Sequence, residues 1–267
     1  MNVFSRLYEY RELLKSNVKK EIRGKYKGSF LGILWSFINP LLMVLVYAIV
    51  FPYLLRVNQD NYLIFLIVGI IPWNFFTTVI AQGTTSVLVN AGIIKKVYFP
   101  REILPISVAT SGIVNFFISC IIMFVFIIFS GIGLSKYALL LPVIAIIQYV
   151  LSLGLIFITS AVNIYIRDLE YIVNFLINML FYATPIIYSL DMFPAKFRWV
   201  LNINPMATII GAYRDILYYQ QMPDLLSLLI VIIVSFAVLL LGYIIFRNLE
   251  KGFAEEVEKC INIILLE

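Results

Sequence analysis

A long uncharged segment near the N terminus places the strongest constraint on the fold. Arg23, Lys25 and Lys27 form a basic cluster, and residues 30–55 then carry no charge. As a straight helix this run would extend about 39 Å, more than the roughly 30 Å of bilayer hydrocarbon. The sequence therefore predicts a first transmembrane helix that starts on the cytoplasmic side, with a kink where Pro40 lacks an N–H.

The composition also indicates a membrane protein. Of 267 residues, 62% are hydrophobic and 13% are charged, which is more apolar surface than a soluble domain of this size can bury. Cys120 and Cys260 are predicted at different depths, so no disulfide is expected. Histidine is absent, which removes the commonest metal ligand and general base, and we expect no metal site.

Five further apolar segments predict five more spans. They cover residues 62–80 (continuing as helix towards residue 90), 105–129, 137–166, 171–188 and 225–246. Between the last two lie three prolines and two apolar runs too short to span, at 197–203 and 207–218. We predict that these runs form re-entrant half-helices. The expected fold class is an all-α membrane protein with six transmembrane helices.

The chain divides into three parts on this basis. Residues 1–29 form a cytoplasmic segment, residues 30–246 the transmembrane domain and residues 247–267 a cytoplasmic tail. Residues 4–22 place apolar side chains on one helical face, which predicts an amphipathic helix at the inner membrane surface. A helix packed on a partner protein is the alternative.

Charge placement predicts the orientation. Segments assigned to the cytoplasm carry 15 of the 20 Lys and Arg residues, so both termini are predicted inside. No signal peptide is predicted, because the first apolar run begins only after a long charge-bearing segment.

The spans lack the residues that an ion-coupled transporter uses. No Asp, Glu, Lys or Arg lies in the middle of a predicted span, which argues against a proton-driven carrier but leaves open a sodium site of carbonyls and hydroxyls. No phosphate-binding loop motif occurs, so ATP-derived energy would have to come from a separate subunit. Uncharged polar residues in the spans either bond neighbouring helices or line a path for a hydrophilic cargo.

Aromatic residues make up 15% of the chain and are frequent in the spans. Interfacial belts and ordinary packing explain many of them, but aromatic faces also stack against sugars. The candidates for lining a channel are Trp35, Tyr47, Phe51, Trp73, Phe76, Tyr182 and Tyr188.

Five motifs resemble the membrane permeases of ABC exporters that carry O-antigen, capsule or wall teichoic acid. The resemblance covers nearly the whole chain and rests on the order of the motifs within a six-span frame. They are Arg23-x-x-Tyr26-Lys27-x-Ser29-x-Leu31-Gly32-x-x-Trp35-x-x-x-x-Pro40, Tyr98-Phe99-Pro100-Arg101-Glu102 with Leu104-Pro105, Tyr165-x-Arg167-Asp168, Thr184-Pro185-Ile186-Ile187-Tyr188 and Asn204-Pro205.

The resemblance implies a homodimer in the bacterial cytoplasmic membrane that binds two copies of a separate ATPase. ATP and Mg²⁺ would be held by that partner, with no cofactor in this chain and no nucleic-acid partner. Residues 90–104 would form the coupling helix that contacts the ATPase, through Lys95, Lys96, Val97, Tyr98, Phe99, Pro100, Arg101 and Glu102. A cytoplasmic loop whose lysines only satisfy the positive-inside rule is the alternative.

The cargo that the resemblance implies is a polysaccharide attached to a polyprenyl-phosphate lipid. It would pass between the first and fifth helices of the dimer, with the half-helices as an outer gate. Arg23, Lys25 and Lys27 stand where a lipid phosphate would enter, although they also serve topology in any case. Arg167 and Asp168 form a cytoplasmic loop motif.

Two other functions remain open from the sequence. One is an ABC exporter of a drug or lipid. The other is a membrane-embedded glycosyl- or acyltransferase, for which Asp168 with Glu170, or Arg214 with Asp215, would be the acid–base candidates. Neither pair has a histidine or third carboxylate nearby, so a transport subunit without enzymatic activity is the expected function.

Overall fold

The computed structural model describes residues 8–24, 30, 32–55, 60–94, 97–189, 201, 203–253 and 255–256. This part of the chain is α-helical and contains no strand. In order, the helices are α1 Arg11–Gly24, α2 Trp35–Leu55, α3 Tyr62–Val89, α4 Ala91–Ile94, α5 Ile103–Phe129, α6 Leu141–Tyr165, α7 Leu169–Tyr182, α8 Pro205–Leu217 and α9 Leu225–Leu249. Short 3₁₀ turns occupy Gly32–Leu34, Lys136–Leu140 and Glu250–Gly252.

Among the residues that the structure describes, four helical segments are long and apolar enough to cross a membrane. They are Tyr62–Val89, Ile103–Phe129, Lys136–Tyr165 and Leu225–Gly252. They coincide with predicted spans two, three, four and six, and the all-helical class is confirmed. For the first and fifth predicted spans, the described helices are α2, with 21 residues, and α7, with 14. The count of six spans therefore stays a prediction.

Helix α3 occupies the centre of the molecule. Most of its residues are buried, and it contacts α2, α5, α6, α7 and α8. Glycines permit the close approach: a Cβ atom at Gly83 would lie 2.5 Å from Ile156, and one at Gly112 would overlap Val79. Small residues at helix crossings are the usual basis of packing between transmembrane helices.

The largest interface joins α6 to α9. A Cβ atom at Gly154 would lie 2.6 Å from the backbone nitrogen of Leu239, and one at Gly242 would overlap the carbonyl oxygen of Gly154. Next to this crossing, the Phe157 ring packs edge-on against Phe246, with ring centres 5.3 Å apart. Helix α9 presents mostly apolar side chains outward elsewhere.

Polar side chains bond the central helices to one another. Gln148 of α6 donates to the carbonyl of Pro72 in α3 at 2.8 Å and accepts from the Tyr213 hydroxyl of α8 at 3.1 Å. The hydroxyls of Thr84 and Thr159 are 2.9 Å apart. For Gln148 and Thr159, bonding between helices is thus the observed role of a polar residue within a span.

Helix α1 packs on its own chain. The predicted amphipathic helix covered residues 4–22, and the described helix is Arg11–Gly24. It contacts α5, where Leu13 packs against the core, and Lys20 donates to the side-chain oxygen of Asn90 at 2.9 Å. Its place at the membrane surface stays a prediction.

Contacts between connections define two ends of the bundle. At one end, the Tyr218 hydroxyl donates to the carbonyl of Asp60, and Gln220 donates to the carbonyl of Ile132 at 2.7 Å. At the other end, the Tyr165 hydroxyl donates to the carbonyl of Leu249 at 2.9 Å. These contacts place the connections before α3 and after α5 at one end, and the connection after α6 at the other end.

The predicted continuation of the second span is confirmed, because α3 extends as helix to Val89. Two other predicted boundaries differ from the structure. Predicted span 171–188 ends as helix at Tyr182, because Pro185 disfavours helical geometry in the residue before it and residues 183–188 form turns. In the predicted coupling helix 90–104, the described residues form the single turn α4, an irregular stretch at 97–100 and the start of α5.

The two predicted half-helices have different outcomes. The first, at 197–203, lies almost entirely outside the described residues. The second, at 207–218, corresponds to α8, which begins with Pro205 in its first turn and packs against α3, α6 and α9. Its re-entrant path through the membrane stays a prediction.

Candidate functional site

A groove of about 870 Å³ lies between α2, α3, α5 and α7. It extends along α2 from Trp35 to Tyr47, which is roughly 18 Å of helix. Its lining comprises Trp35, Asn39, Met43, Tyr47, Ile70, Ile71, Trp73, Asn74, Phe75, Thr77, Thr78, Ala81, Gln82, Gly112, Asn115, Phe116, Ser119, Asn174, Ile177, Asn178, Phe181 and Tyr182.

The groove is polar. Amide side chains line it from all four helices, and none of the lining residues that the structure describes is Asp, Glu, Lys or Arg. The amides are Asn39, Asn74, Gln82, Asn115, Asn174 and Asn178. Since an amide both donates and accepts hydrogen bonds, this lining suits a ligand rich in hydroxyl groups.

Neighbouring aromatic rings from three helices form an aromatic wall of the groove. Phe181 lies at its centre, with ring centres 6.0 Å from Tyr47, 5.7 Å from Trp73 and 5.4 Å from Tyr182. Such rings offer apolar faces to a ligand without fixing its register. Amides and aromatics together are therefore a surface on which a polar chain can slide.

Four of the seven predicted channel aromatics line the groove, namely Trp35, Tyr47, Trp73 and Tyr182. Phe76 is buried behind Trp73, with ring centres 5.6 Å apart. The side chain of Phe51 is not among those that the structure describes. Tyr188 is not a lining residue, and its hydroxyl donates to the carbonyl of Tyr182 at 2.8 Å.

Sequence reasoning left the polar residues of the spans with two possible roles and did not detect the rows that the amides form. On α3 and α7 the lining positions recur four residues apart, at Asn74, Thr78 and Gln82 and at Asn174, Asn178 and Tyr182. Residues at this spacing share one face of a helix. A search for polar positions at that spacing within the spans would have found the groove.

The turn that follows α7 is held by side chains from three other elements. Arg214 of α8 donates to the carbonyl oxygens of Pro185 and, at 2.6 Å, Ile186. The Tyr62 hydroxyl of α3 donates to the carbonyl of Ile187 at 2.7 Å. Two sequence motifs meet here, because Asn204 donates to the Thr184 hydroxyl at 2.8 Å.

Arg214 is not part of an acid–base pair. Its side chain is 4% exposed and points into the core, whereas the Asp215 carboxylate accepts a hydrogen bond from Gln221 at 2.8 Å. The other candidate pair, Asp168 with Glu170, lies at the start of α7, where Asp168 is exposed. Neither pair forms an assembled acid–base site that would support the enzyme hypothesis.

At the opposite end, the predicted coupling residues divide into exposed and buried sets. Val97 is 57% and Tyr98 92% exposed, whereas Phe99 and Glu102 are buried. Pro100 is also buried, and Lys95 and Lys96 lie outside the described residues. The exposed pair is an apolar surface beyond the end of α3.

The buried part of this segment contacts the end of α9. Arg101 donates to the carbonyl of Glu250, and the Glu102 carboxylate is 3.9 Å from Arg247. Phe253 is fully buried between Phe246 and Tyr165, with ring centres 5.4 and 6.4 Å away. The second and third sequence motifs therefore meet at the end of the last span.

Among the remaining predicted residues, Arg23, Arg167 and Asp168 lie at this same end. Arg23, in the last turn of α1, is exposed, and Lys25 and Lys27 lie outside the description. Arg167 and Asp168 are exposed in the connection from α6 to α7. No contact among the described residues assigns a role to Arg167.

Comparison with known proteins gives one consistent result. The family model described as ABC-2 type transporter matches residues 12–218. The chain is 36% identical over 253 residues to the O-antigen export system permease protein RfbA of Myxococcus xanthus, covering 94% of this chain and 97% of that protein. A protein of the same name from Klebsiella pneumoniae is 36% identical over 245 residues, or 91% and 94% of the two chains. The chain is therefore a member of the ABC-2 type transporter family.

Proposed function

We propose that this chain is the membrane-spanning subunit of an ABC exporter that moves lipid-linked polysaccharide across the bacterial cytoplasmic membrane. Its relatives are named as permeases of O-antigen export, and a polysaccharide of that kind is the proposed cargo. The observation that carries the proposal is the groove, whose uncharged amides and aromatic wall suit a chain of sugars.

The proposed translocation path runs between α2 and α7. The groove opens along both helices, where Trp35 is 37% and Tyr182 is 68% exposed. A second copy of the chain facing these helices would close the groove into a channel, which supports a homodimer. Many weak contacts favour sliding of a polymer over tight capture of one unit.

The proposed ATPase contact is the exposed pair Val97 and Tyr98. An apolar side chain that protrudes beyond a bundle is suited to a hydrophobic groove on a partner. The neighbouring Arg101 bonds to the end of α9, so displacement of this segment by the partner would be passed on to the last span. ATP and Mg²⁺ belong to that partner in this proposal.

Lipid entry is proposed at the same end of the bundle. Arg23 is exposed there at the end of α1, and Lys25 and Lys27 follow in sequence. Charge-assisted hydrogen bonds from these residues would hold a lipid phosphate at the inner leaflet. The orientation with both termini in the cytoplasm follows from the excess of basic residues on that side.

A pair of tyrosines on α7 tests the path. Tyr182 lines the groove and Tyr171 does not, although their exposures are similar at 68% and 70%. In cells that carry the exporter, Y182A is expected to lower the amount of surface polysaccharide, and Y171A to leave it near the wild-type amount. The measurement is polysaccharide on the cell surface per amount of assembled complex. Equal effects of the two substitutions would contradict the proposed path.

A further inference from the structure

Arg214 is buried without a carboxylate partner. Its side chain is 4% exposed, and no acidic residue among those the structure describes forms an ion pair with it. Its Cζ atom lies instead 3.5 Å from the centre of the Phe65 ring. Burial of a charged guanidinium costs free energy unless hydrogen bonds compensate it, so the folded state favours the one geometry in which those bonds form.

Both hydrogen bonds of the Arg214 guanidinium reach the turn after α7. The guanidinium donates to the carbonyls of Pro185 and Ile186, which are adjacent in sequence, so its planar fork fixes two consecutive peptide groups. Gly69 makes room for this arrangement, because a Cβ atom there would lie 2.9 Å from the Arg214 Nη2 atom and 3.2 Å from the Ile186 carbonyl oxygen.

The same turn is bonded to the last helical turn of α7. The Thr184 hydroxyl donates to the carbonyl of Leu180 at 2.6 Å, and the Tyr188 hydroxyl donates to that of Tyr182 at 2.8 Å. Phe181 and Tyr182 belong to the groove lining. A shift of the turn would therefore move one end of the aromatic wall.

We infer that Arg214 is a positioning residue for transport. Its hydrogen bonds to the 184–187 turn, which we call the clasp, set the position of Phe181 and Tyr182 at one end of the groove. This inference rests on the proposed function of the groove. It assigns to α8 the role of holding the groove end, and to Tyr62 the role of a second, weaker clasp through the Ile187 carbonyl.

The test uses the full chain in complex with its ATPase and three substitutions. R214K keeps the charge but cannot donate through a planar fork or stack as a guanidinium does. Y62F removes a single hydrogen bond to the turn. Y213F is the matched control, because the neighbouring Tyr213 is also buried in α8 but bonds to Gln148 and not to the turn.

The readouts are polysaccharide exported per ATP hydrolysed by assembled complex and hydrogen exchange of the peptide covering 183–189. We expect R214K to lower the export ratio about tenfold and Y62F to lower it less, since a charge-assisted bond is about twice as strong as a neutral one. Both should accelerate exchange in that peptide. Y213F should leave both readouts at wild-type values.

The outcomes that overturn the inference are distinct. If R214K and Y62F change export only in proportion to the amount of complex assembled, Arg214 is structural alone. If neither accelerates exchange at 183–189, or Y213F accelerates it equally, the clasp is absent. Hydrogen exchange does not require the ATPase. A wild-type chain that exports nothing would refute the proposed function, but the exchange readout would still show whether Arg214 holds the 184–187 turn in place.

Discussion

At the scale of single residues, buried polar side chains do most to define this bundle. Gln148 satisfies partners on two other helices at once, because it donates to the Pro72 carbonyl and accepts from the Tyr213 hydroxyl. Both Gln148 and Tyr213 are fully buried. Removing the amide would leave two buried polar groups without their partner, which is costly at membrane depth.

We therefore expect Q148L to lower the stability of the chain by about 1–2 kcal/mol. The control is Q82L, the same substitution at an exposed position in the groove, which should leave stability unchanged and reduce transport. Unfolding in a graded series of denaturing detergent, followed by tryptophan fluorescence, measures the difference. Equal stability of the two variants would contradict the role given to Gln148.

Asp224 supplies a second prediction at this scale. It caps α9, where the Ser227 hydroxyl and the backbone N–H groups of Ser227 and Leu226 hydrogen-bond its carboxylate and lower its pKa from the ordinary value. Since the folded state favours the ionised form, this contribution to stability is present above the unfolded-state pKa. It is lost as the pH falls through the lower folded-state pKa.

D224N should consequently unfold at a lower temperature than the wild-type chain at neutral pH. The difference should shrink as the pH falls below the ordinary aspartate pKa of about 4 and vanish below the lower folded-state pKa. D168N is the matched control, because Asp168 also precedes a helix but makes no capping hydrogen bond through its side chain. Melting temperatures across this pH range decide the point. A difference that persists at low pH would show that the cap does not depend on charge.

At the scale of helices, close crossings at glycine hold the largest interface together. A Cβ atom at Gly242 would overlap the carbonyl oxygen of Gly154, so α6 and α9 must separate to accept an alanine. By contrast, a Cβ atom at Gly211 in α8 has no neighbour within 4 Å. These two positions form a natural pair for comparison.

G242A is expected to destabilise the chain by about 1–3 kcal/mol through overpacking. G211A should be neutral or should stabilise it by up to about 1 kcal/mol, since alanine favours the helix more than glycine does. Denaturing-detergent titrations of the two variants provide the measurement. If G242A unfolds at the same detergent fraction as G211A, the crossing at Gly154 is looser than described here.

Uncharged runs bounded by charges predicted most of the helices, because hydrophobic length is the main determinant of a span. The ends were harder to predict. Pro185 accounts locally for the end of α7 near Tyr182, but the turn that follows is held in place by Arg214, Tyr62 and Asn204, which are distant in sequence. No local pattern reveals such partners.

The groove, too, was predictable in part: its residue types could be predicted from the sequence, and their arrangement could not. Four of its aromatics were predicted from their abundance in the spans. The amides were grouped with the polar residues that either bond neighbouring helices or line a path. Their convergence depends on how α2, α3, α5 and α7 cross, which the sequence of one helix does not encode. Arg214 was assigned to an outer segment by its charge, whereas the surrounding carbonyls and the Phe65 ring allow it to be buried.

At the scale of the whole molecule, the two ends of the bundle have separate structures joined by the groove. One end carries the exposed Tyr98 and the contacts between Arg101 and the end of α9. The other carries the turn clasped by Arg214. The proposed exporter needs such a division, because its ATPase would act at one side and the polymer would leave at the other.

The measurement that tests this account most directly is ATP-dependent transfer of a polyprenyl-linked polysaccharide across a reconstituted bilayer by this chain and the ATPase proposed as its partner. The account predicts that the polysaccharide becomes protected inside inverted vesicles only when ATP is hydrolysed, and that Y98A prevents both ATPase binding and transfer. A chain that binds no ATPase, or a complex that hydrolyses ATP without moving the polysaccharide, would contradict it.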